Sequence, residues 1–424
     1  MPIKHKNLFR KALRNCVVSL LSVSCVADAA AQSQLPLIYD GHQSHYFGAY
    51  NAVFIQRAVY SFQDRYIPDT LKRENNFFRK SAGFGYRMSK LFLLDMQEDY
   101  LFFIIQHEAF GHAARYREFG SKNNSVKINM AFPFGSGHGE ASPGSIIRNY
   151  TPHKNIAVSI AGVEANMVLA NTLSSAFLQS DSIHYRQALL YLISQNDQLF
   201  YIWSDRIRGS NNSGGGDMRG YVSKLNNLYT PLQNSYTIEK LSVQSLFSFV
   251  NPLQAYSAFT ILYSYGIKGK KYLSKIPMIR FGQVRYLPYL NYNLSPFGSE
   301  YLFCNIVKYK NKLLTGDLGM GENTFNNFYR ARFRFINLVK NNRIGINLHA
   351  EGWIQPELEL ETGSNTQTEN QAGGAFKTDF MLRPFQNRNT FSLFTQLGYK
   401  TKGFTIGEPL AASFILRYGI ALHL

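Results

Sequence analysis

From residue 276 onward, apolar side chains recur at every second position in long segments. In Phe328–Phe335, Tyr329, Ala331, Phe333 and Phe335 share one face, while Arg330, Arg332 and Arg334 share the other. In 343–353, Ile344, Ile346, Leu348 and Ala350 oppose Arg343, Asn347, His349 and Glu351. Segments 375–383 and 415–424 repeat the pattern, with Phe376, Phe380 and Leu382, then Leu416, Tyr418, Ile420 and Leu422, on the apolar side. A period of two is the period of a β-strand, whose neighbours point to opposite faces. The period of two excludes a helix, and the charged second face excludes a strand buried on both sides.

A soluble sheet with one wet face also alternates, but two features favour a membrane form. Many segments reach ten or more residues, the length a tilted strand needs to cross a bilayer. Their apolar face is rich in Tyr, Phe and Leu, as on the lipid-facing side of a barrel. The spacing predicts about eight strands, a barrel small enough for side chains to fill. Arg330, Arg332 and Arg417, against Glu351, Glu357 and Glu359, are the charges such an interior would pair. The polar tract 359–375 is expected as a long loop. The final strand, with Tyr418 and Leu424 on one face, resembles the C-terminal signature of bacterial outer-membrane β-barrels.

Upstream the period changes. Tyr100–Arg117, Ile156–Leu178, Arg186–Trp203 and Leu246–Tyr265 space their apolar residues as helices do, and the basic stretch 268–275 is expected as a linker. Ile156–Leu178 carries Glu164, Asn166 and Asn171, which predicts a buried helix and not a membrane span. The expected fold class is therefore α+β, with a helical domain over 32–270 and a transmembrane barrel over 276–424.

Residues 1–31 read as a secretory signal peptide. Lys4, Lys6, Arg10, Lys11 and Arg14 precede an uncharged run from Cys16 to Val26, followed by small-residue cleavage sites at 27–31. Removing it leaves one cysteine, Cys304, so no intramolecular disulfide can form. The formal charge of +18 becomes about +14 without the leader. In an exported chain this suits an anionic surface. No nucleic-acid motif is present, and none is expected as partner.

The chemistry concentrates in Gln106–Arg115, where His107 and Glu108 follow an apolar run and His112 comes five positions after His107. At i and i+4 two histidines lie about 40° apart on a helix and converge; at i and i+5 they lie about 140° apart and diverge. The pair can share an ion only if the helix takes up an extra residue, as a π-type turn does. Gly111 lowers the steric cost of such a turn.

His107-Glu108-Ala109-Phe110-Gly111-His112 resembles the His-Glu-x-x-Gly-His motif of the dipeptidyl-peptidase III family of zinc peptidases. The resemblance implies zinc on His107 and His112, with Glu108 as catalytic base. A second glutamate downstream completes the zinc site in that family, and here Glu164 lies 52 residues beyond His112. The paired glutamates of the family's second motif are replaced by "AGVEANMVLAN", and the resemblance is confined to these motifs. His107, His112 and Glu164 would leave a fourth position for water on Zn²⁺. Glu108 would take a proton from that water. Arg115, His138, His153 and Tyr150 are candidate donors to the transition-state oxyanion. His138 belongs to a Gly-rich loop, 135–139, of the kind that closes over sites.

"AGVEANMVLAN" also resembles the Ala-Gly-Pro-x-Ala-Asn helix of intramembrane zinc proteases, and Asp217 would then correspond to their aspartate ligand. Without that resemblance, Asp217 reads as a helix cap or as a group orienting a ligand histidine. The expected function is an outer-membrane-anchored zinc metallohydrolase, cleaving peptide or protein substrates from a helical domain facing the periplasm. Three alternatives are a non-catalytic zinc- or partner-binding protein, a hydrolase of membrane lipid, and an intramembrane-type protease.

Overall fold

The computed structural model describes residues 35–68, 76–147, 149–208, 216–229, 236–322, 327–361, 369–384 and 391–422. The expected signal peptide and Leu424 lie outside these residues.

The chain enters through a short strand, β1 (Leu37–Asp40), and helix α1 (His45–Tyr66). Helix α2 (Phe77–Lys90) runs through a π-helical segment, Leu91–Asp95, into α3 (Met96–His107). A second π turn, Glu108–His112, leads into α4 (Ala113–Glu118). A hairpin of β2 (Ser125–Ile128) and β3 (Gly139–Ser142) follows. Helix α5 (Pro152–Ser180) comes next, then β4 (Ser182–His184), α6 (Tyr185–Gln195), α7 (Asp197–Ile207) and α8 (Asp217–Tyr229). Helix α9 (Ile238–Ser245) continues as a 3₁₀ turn, Leu246–Val250, and α10 (Pro252–Phe259) as a π segment, Thr260–Ile267. Strand β5 (Tyr272–Ser274) pairs with β4. The remainder is β6 (Ile279–Phe281), β7 (Val284–Ser295), β8 (Gly298–Tyr309), β9 (Lys312–Glu322), β10 (Asn327–Lys340), β11 (Ile344–Pro356), β12 (Asn370–Leu382), β13 (Phe391–Lys400) and β14 (Ser413–Leu422).

Strands β6 to β14 form one antiparallel sheet in which sequence neighbours are spatial neighbours, and β1 adds to the far edge beside β14. Eight of its ten strands are the long period-two segments. The sheet is open, with β1 and β6 as its edges among the described residues, so the closed barrel expected from the sequence is not formed by these strands alone. Its outer face carries the predicted apolar set: Tyr329, Phe333, Phe335, Phe376, Phe380 and Leu416 are all exposed.

The inner face is charged and buried. Arg330 pairs with Glu300 at 3.0 Å and Glu351 at 3.4 Å. Arg332 pairs with Asp317 at 2.6 Å. Arg417 reaches Asp40 at 3.0 Å and Glu408 at 2.6 Å. Among the described residues, Glu351 is the expected acidic partner that these arginines use, and Glu357 instead pairs with Lys402.

The helices cover this inner face. Lys308 donates to the Leu178 carbonyl (2.7 Å), and Arg334 to Ser175 (3.4 Å), so α5 lies against the strands. One apolar cluster joins Leu169, Leu173, Ile183 and Tyr191 of the helical part to Leu287, Ile306 and Ile336 of the sheet. The helices and the sheet therefore share one apolar core. Helix α5 starts at Pro152 with Thr151 accepting from the Lys154 amide and ends on Asp181 in the left-handed region. It is long and apolar enough to cross a membrane, yet 94% of its most apolar window is buried in the protein, the place of a core helix.

Candidate metal centre

The widened histidine spacing is absorbed where the helix has its extra residue. The π turn Glu108–His112 closes with the Ala113 amide donating to the Glu108 carbonyl, five residues back. His112 thereby returns to the side of His107, and the two ring centroids lie 5.1 Å apart. Gly111 is needed for a second reason. A Cβ there would stand 2.7 Å from the Ala161 carbonyl oxygen and from the Gly162 Cα, so only glycine lets the π turn rest on α5.

Both imidazoles are held by their Nδ1 atoms. His107 Nδ1 lies 2.9 Å from Asp197 Oδ2, and the Asn166 amide donates to the same oxygen at 2.8 Å. His112 Nδ1 bonds the Val158 carbonyl at 2.8 Å. Tyr201 stacks on His107 with centroids 5.0 Å apart. Fixing Nδ1 leaves Nε2 as the donor atom, the arrangement of metal-bound histidines with ordered outer partners. His107 Nε2 is buried with no hydrogen-bond partner. His112 Nε2 lies 3.5 Å from Asp217 Oδ2. One donor atom from each of His107, His112 and Asp217 falls within 4.8 Å of the others. Two nitrogens and a carboxylate oxygen suit a zinc-like cation.

Burial pulls the His107 imidazole down, but the Asp197 carboxylate outweighs it and the net shift is upward, to about 9. Burial likewise pushes the Glu108 carboxyl up, against the pull of His107 and His112. Over Glu108 lies β3: a Cβ on Gly139 would come within 2.7 Å of Glu108 Oε1. The hairpin is tied down by Gln97, which donates to the Phe132 carbonyl (2.9 Å), and by Tyr100, which donates to the Gly137 carbonyl (2.5 Å). It carries His138, exposed, whose charge acts on Glu108.

Glu164 is not brought to this group. It binds Arg115 through both oxygens, at 2.6 and 2.8 Å, and accepts the Gly407 amide at 2.8 Å. The phase of α5 explains this. Val158, Gly162 and Asn166 are four apart and face the histidines, whereas Glu164 is two residues from Gly162 and so points to the opposite side. Arg115, whose two terminal nitrogens are taken up by Glu164, Glu118 and the Glu408 carbonyl, lies in an ion-pair network apart from the histidine group. His153 is also structural: it bonds Tyr229 Oη and the Glu359 amide, and burial pulls it down to about 4.

Asp217 takes the third place. Its alternative role as cap is filled by Asp205, which accepts the Arg219 amide at 3.1 Å. Gly216 makes this possible, because a Cβ there would meet the Asp205 carboxylate at 2.1 Å. Asp197 and Tyr201 carried no sequence signal as site residues. Asn166 did, within the stretch resembling intramembrane proteases, and Gly162, Asn166 and Asp217 from that resemblance all meet at the two histidines. No protein-family model, curated protein or solved structure matches the chain.

Proposed function

We propose that the chain is a membrane-embedded, metal-dependent hydrolase of peptide bonds. The observation that carries this reading is the convergence of His107 Nε2, His112 Nε2 and an Asp217 oxygen beside Glu108, with both histidines fixed through Nδ1. His107, His112 and Asp217 would hold the cation, for which zinc is the proposal. A cation so held supplies Lewis acidity to an attacking water and to a substrate carbonyl.

The remaining steps belong to the chain. Glu108 follows one ligand directly and is not itself within the ligand group, so its carboxylate is placed to accept a proton from water. Its raised affinity for protons fits a base that must then hand the proton to a leaving amine. Asp197 and Asn166 keep the His107 ring from turning. The hairpin over Glu108 would limit bulk water, and His138 on it would be the candidate to stabilise a developing negative charge.

The location is proposed as the outer membrane. The exposed aromatic and aliphatic outer face of long antiparallel strands supports it, as does the pairing of charges on the inner face. Peptide hydrolysis by purified protein supplied with zinc tests the activity. Glu108→Gln should lower turnover by about 10²–10⁴-fold while keeping the metal. Turnover unchanged in Glu108→Gln would remove the enzyme reading and leave a metal-binding protein.

A further inference from the structure

The open sheet leaves one side of the molecule walled by helices, and that side is as apolar outside as the strands are. Phe92 and Leu93 of the first π segment, Phe249 after α9, and Phe259, Leu262 and Ile267 along α10 and its π extension are all exposed. Stretches 91–94, 246–250 and 252–267 hold no charged residue. The two apolar surfaces meet at a seam, where the Phe247 ring lies 5.1 Å from that of Tyr301 on β8.

Both walls end in the same way at the same rim. On the sheet, Lys310 and Lys312 stand in the β8–β9 turn and Lys340 at the end of β10, all exposed. On the helical side, Lys268, Lys270 and Lys275 follow α10 and are exposed too. These two groups lie at one end of the molecule, because Asp181 at the C-terminus of α5 receives both the Ile276 amide and Arg285 at the start of β7. A lysine over a tyrosine marks each wall, Lys310 on Tyr309 and Lys268 on Tyr263, both at 5.4 Å. Residues 264–286, 305–313 and 337–346 contain no Asp or Glu. The opposite rim carries Glu322, Glu361 and Glu369, all exposed.

We propose that the helical wall between β7 and β1 faces bilayer hydrocarbon just as the sheet does, and that the basic rim beneath both walls lies among phosphate-bearing lipid headgroups of one leaflet. This rests on the membrane reading above. Helices satisfy their own backbone polar groups, so they can complete a lipid-facing wall that the strands leave open. Tyrosines at the apolar edge and lysines beyond it are the usual order at a membrane interface.

The test uses the full chain, with Cys16, Cys25 and Cys304 replaced by alanine, reconstituted in vesicles of phosphatidylglycerol and phosphatidylcholine. Nitroxides are placed singly at Phe92, Phe249 and Leu262 on the helices, at Phe333 and Phe376 on the sheet, and at Lys127 as a water-facing control. The expected result is that helical and sheet labels alike relax with oxygen and not with a water-soluble nickel chelate. Spin-labelled phosphatidylglycerol should associate roughly two- to threefold better than phosphatidylcholine, a preference lost when Lys268, Lys270, Lys310 and Lys312 become Gln.

Helical labels reading water while sheet labels read lipid would overturn the proposal and leave the membrane reading standing. All labels reading water would overturn both. Dipolar broadening confined to helical labels would assign that wall to a second copy of the chain. No preference between the two lipids would overturn the headgroup half.

Discussion

The Cα of Gly162 stands over the face of the His107 ring, so closely that a Cβ there would lie 2.1 Å from Nε2 and 2.4 Å from both Cδ2 and Cε1. A methyl group cannot share that space with the ring. Gly162→Ala should therefore push the His107 imidazole out of its ligand position while leaving α5 a better helix. Metal content by mass spectrometry is expected to fall from one ion per chain to near zero, with the far-ultraviolet spectrum unchanged. Full occupancy in Gly162→Ala would mean that the cation, if any, is bound elsewhere.

Asp217→Asn and Glu164→Gln should separate cleanly. The first removes a charged ligand oxygen and is expected to weaken zinc binding by 10²-fold or more, read by competition with a chelator. The second leaves Arg115 with Glu118 as its remaining carboxylate partner, which costs on the order of 1–3 kcal/mol of stability. Its zinc affinity should match wild type wherever the protein is folded. The reverse pattern would restore Glu164 as the ligand.

Asp197→Asn keeps the size of the side chain that orients His107 but removes its charge. Loss of such an outer partner typically lowers metal affinity about 10–100-fold. Titration with zinc at fixed pH measures it, and an unchanged affinity would show that Asn166 alone holds the ring.

His153 predicts a pH response. Its folded value of about 4 lies below the ordinary 6.5, so the buried neutral form contributes stability that is complete above 6.5 and is lost as pH falls toward 4. The loss across that window is about 3 kcal/mol. His153→Gln should flatten the fall of the melting midpoint between pH 6.5 and 4, measured in detergent or vesicles.

Much of the sheet was legible because alternation fixes which face each side chain takes. Tyr329, Phe333 and Leu416 point outward as their spacing requires. The π turn was legible too, since five-residue spacing leaves two histidines no other way to meet. Glu164 was misplaced because chain distance to His112 says nothing about helix phase; Val158, Gly162 and Asn166, at intervals of four, mark the facing side. Asp217 could not be separated from a cap while Asp205, twelve residues earlier in sequence, was unknown as the group that performs the capping. The strand β1 has four residues, too few for a period to register. The shared core was hidden because apolar periodicity names a buried face but not the element that buries it.

The pairing of β1 with β14 sets an order of assembly. Asp40 and Arg417 are 377 positions apart, and their bond forms only after both edges of the chain are in hand. Chains stalled before the last strand would leave Asp40 buried without its cation and the helices half covered. Such a product is prone to removal by proteolysis, so quality control of this protein would act on its final ten-residue strand.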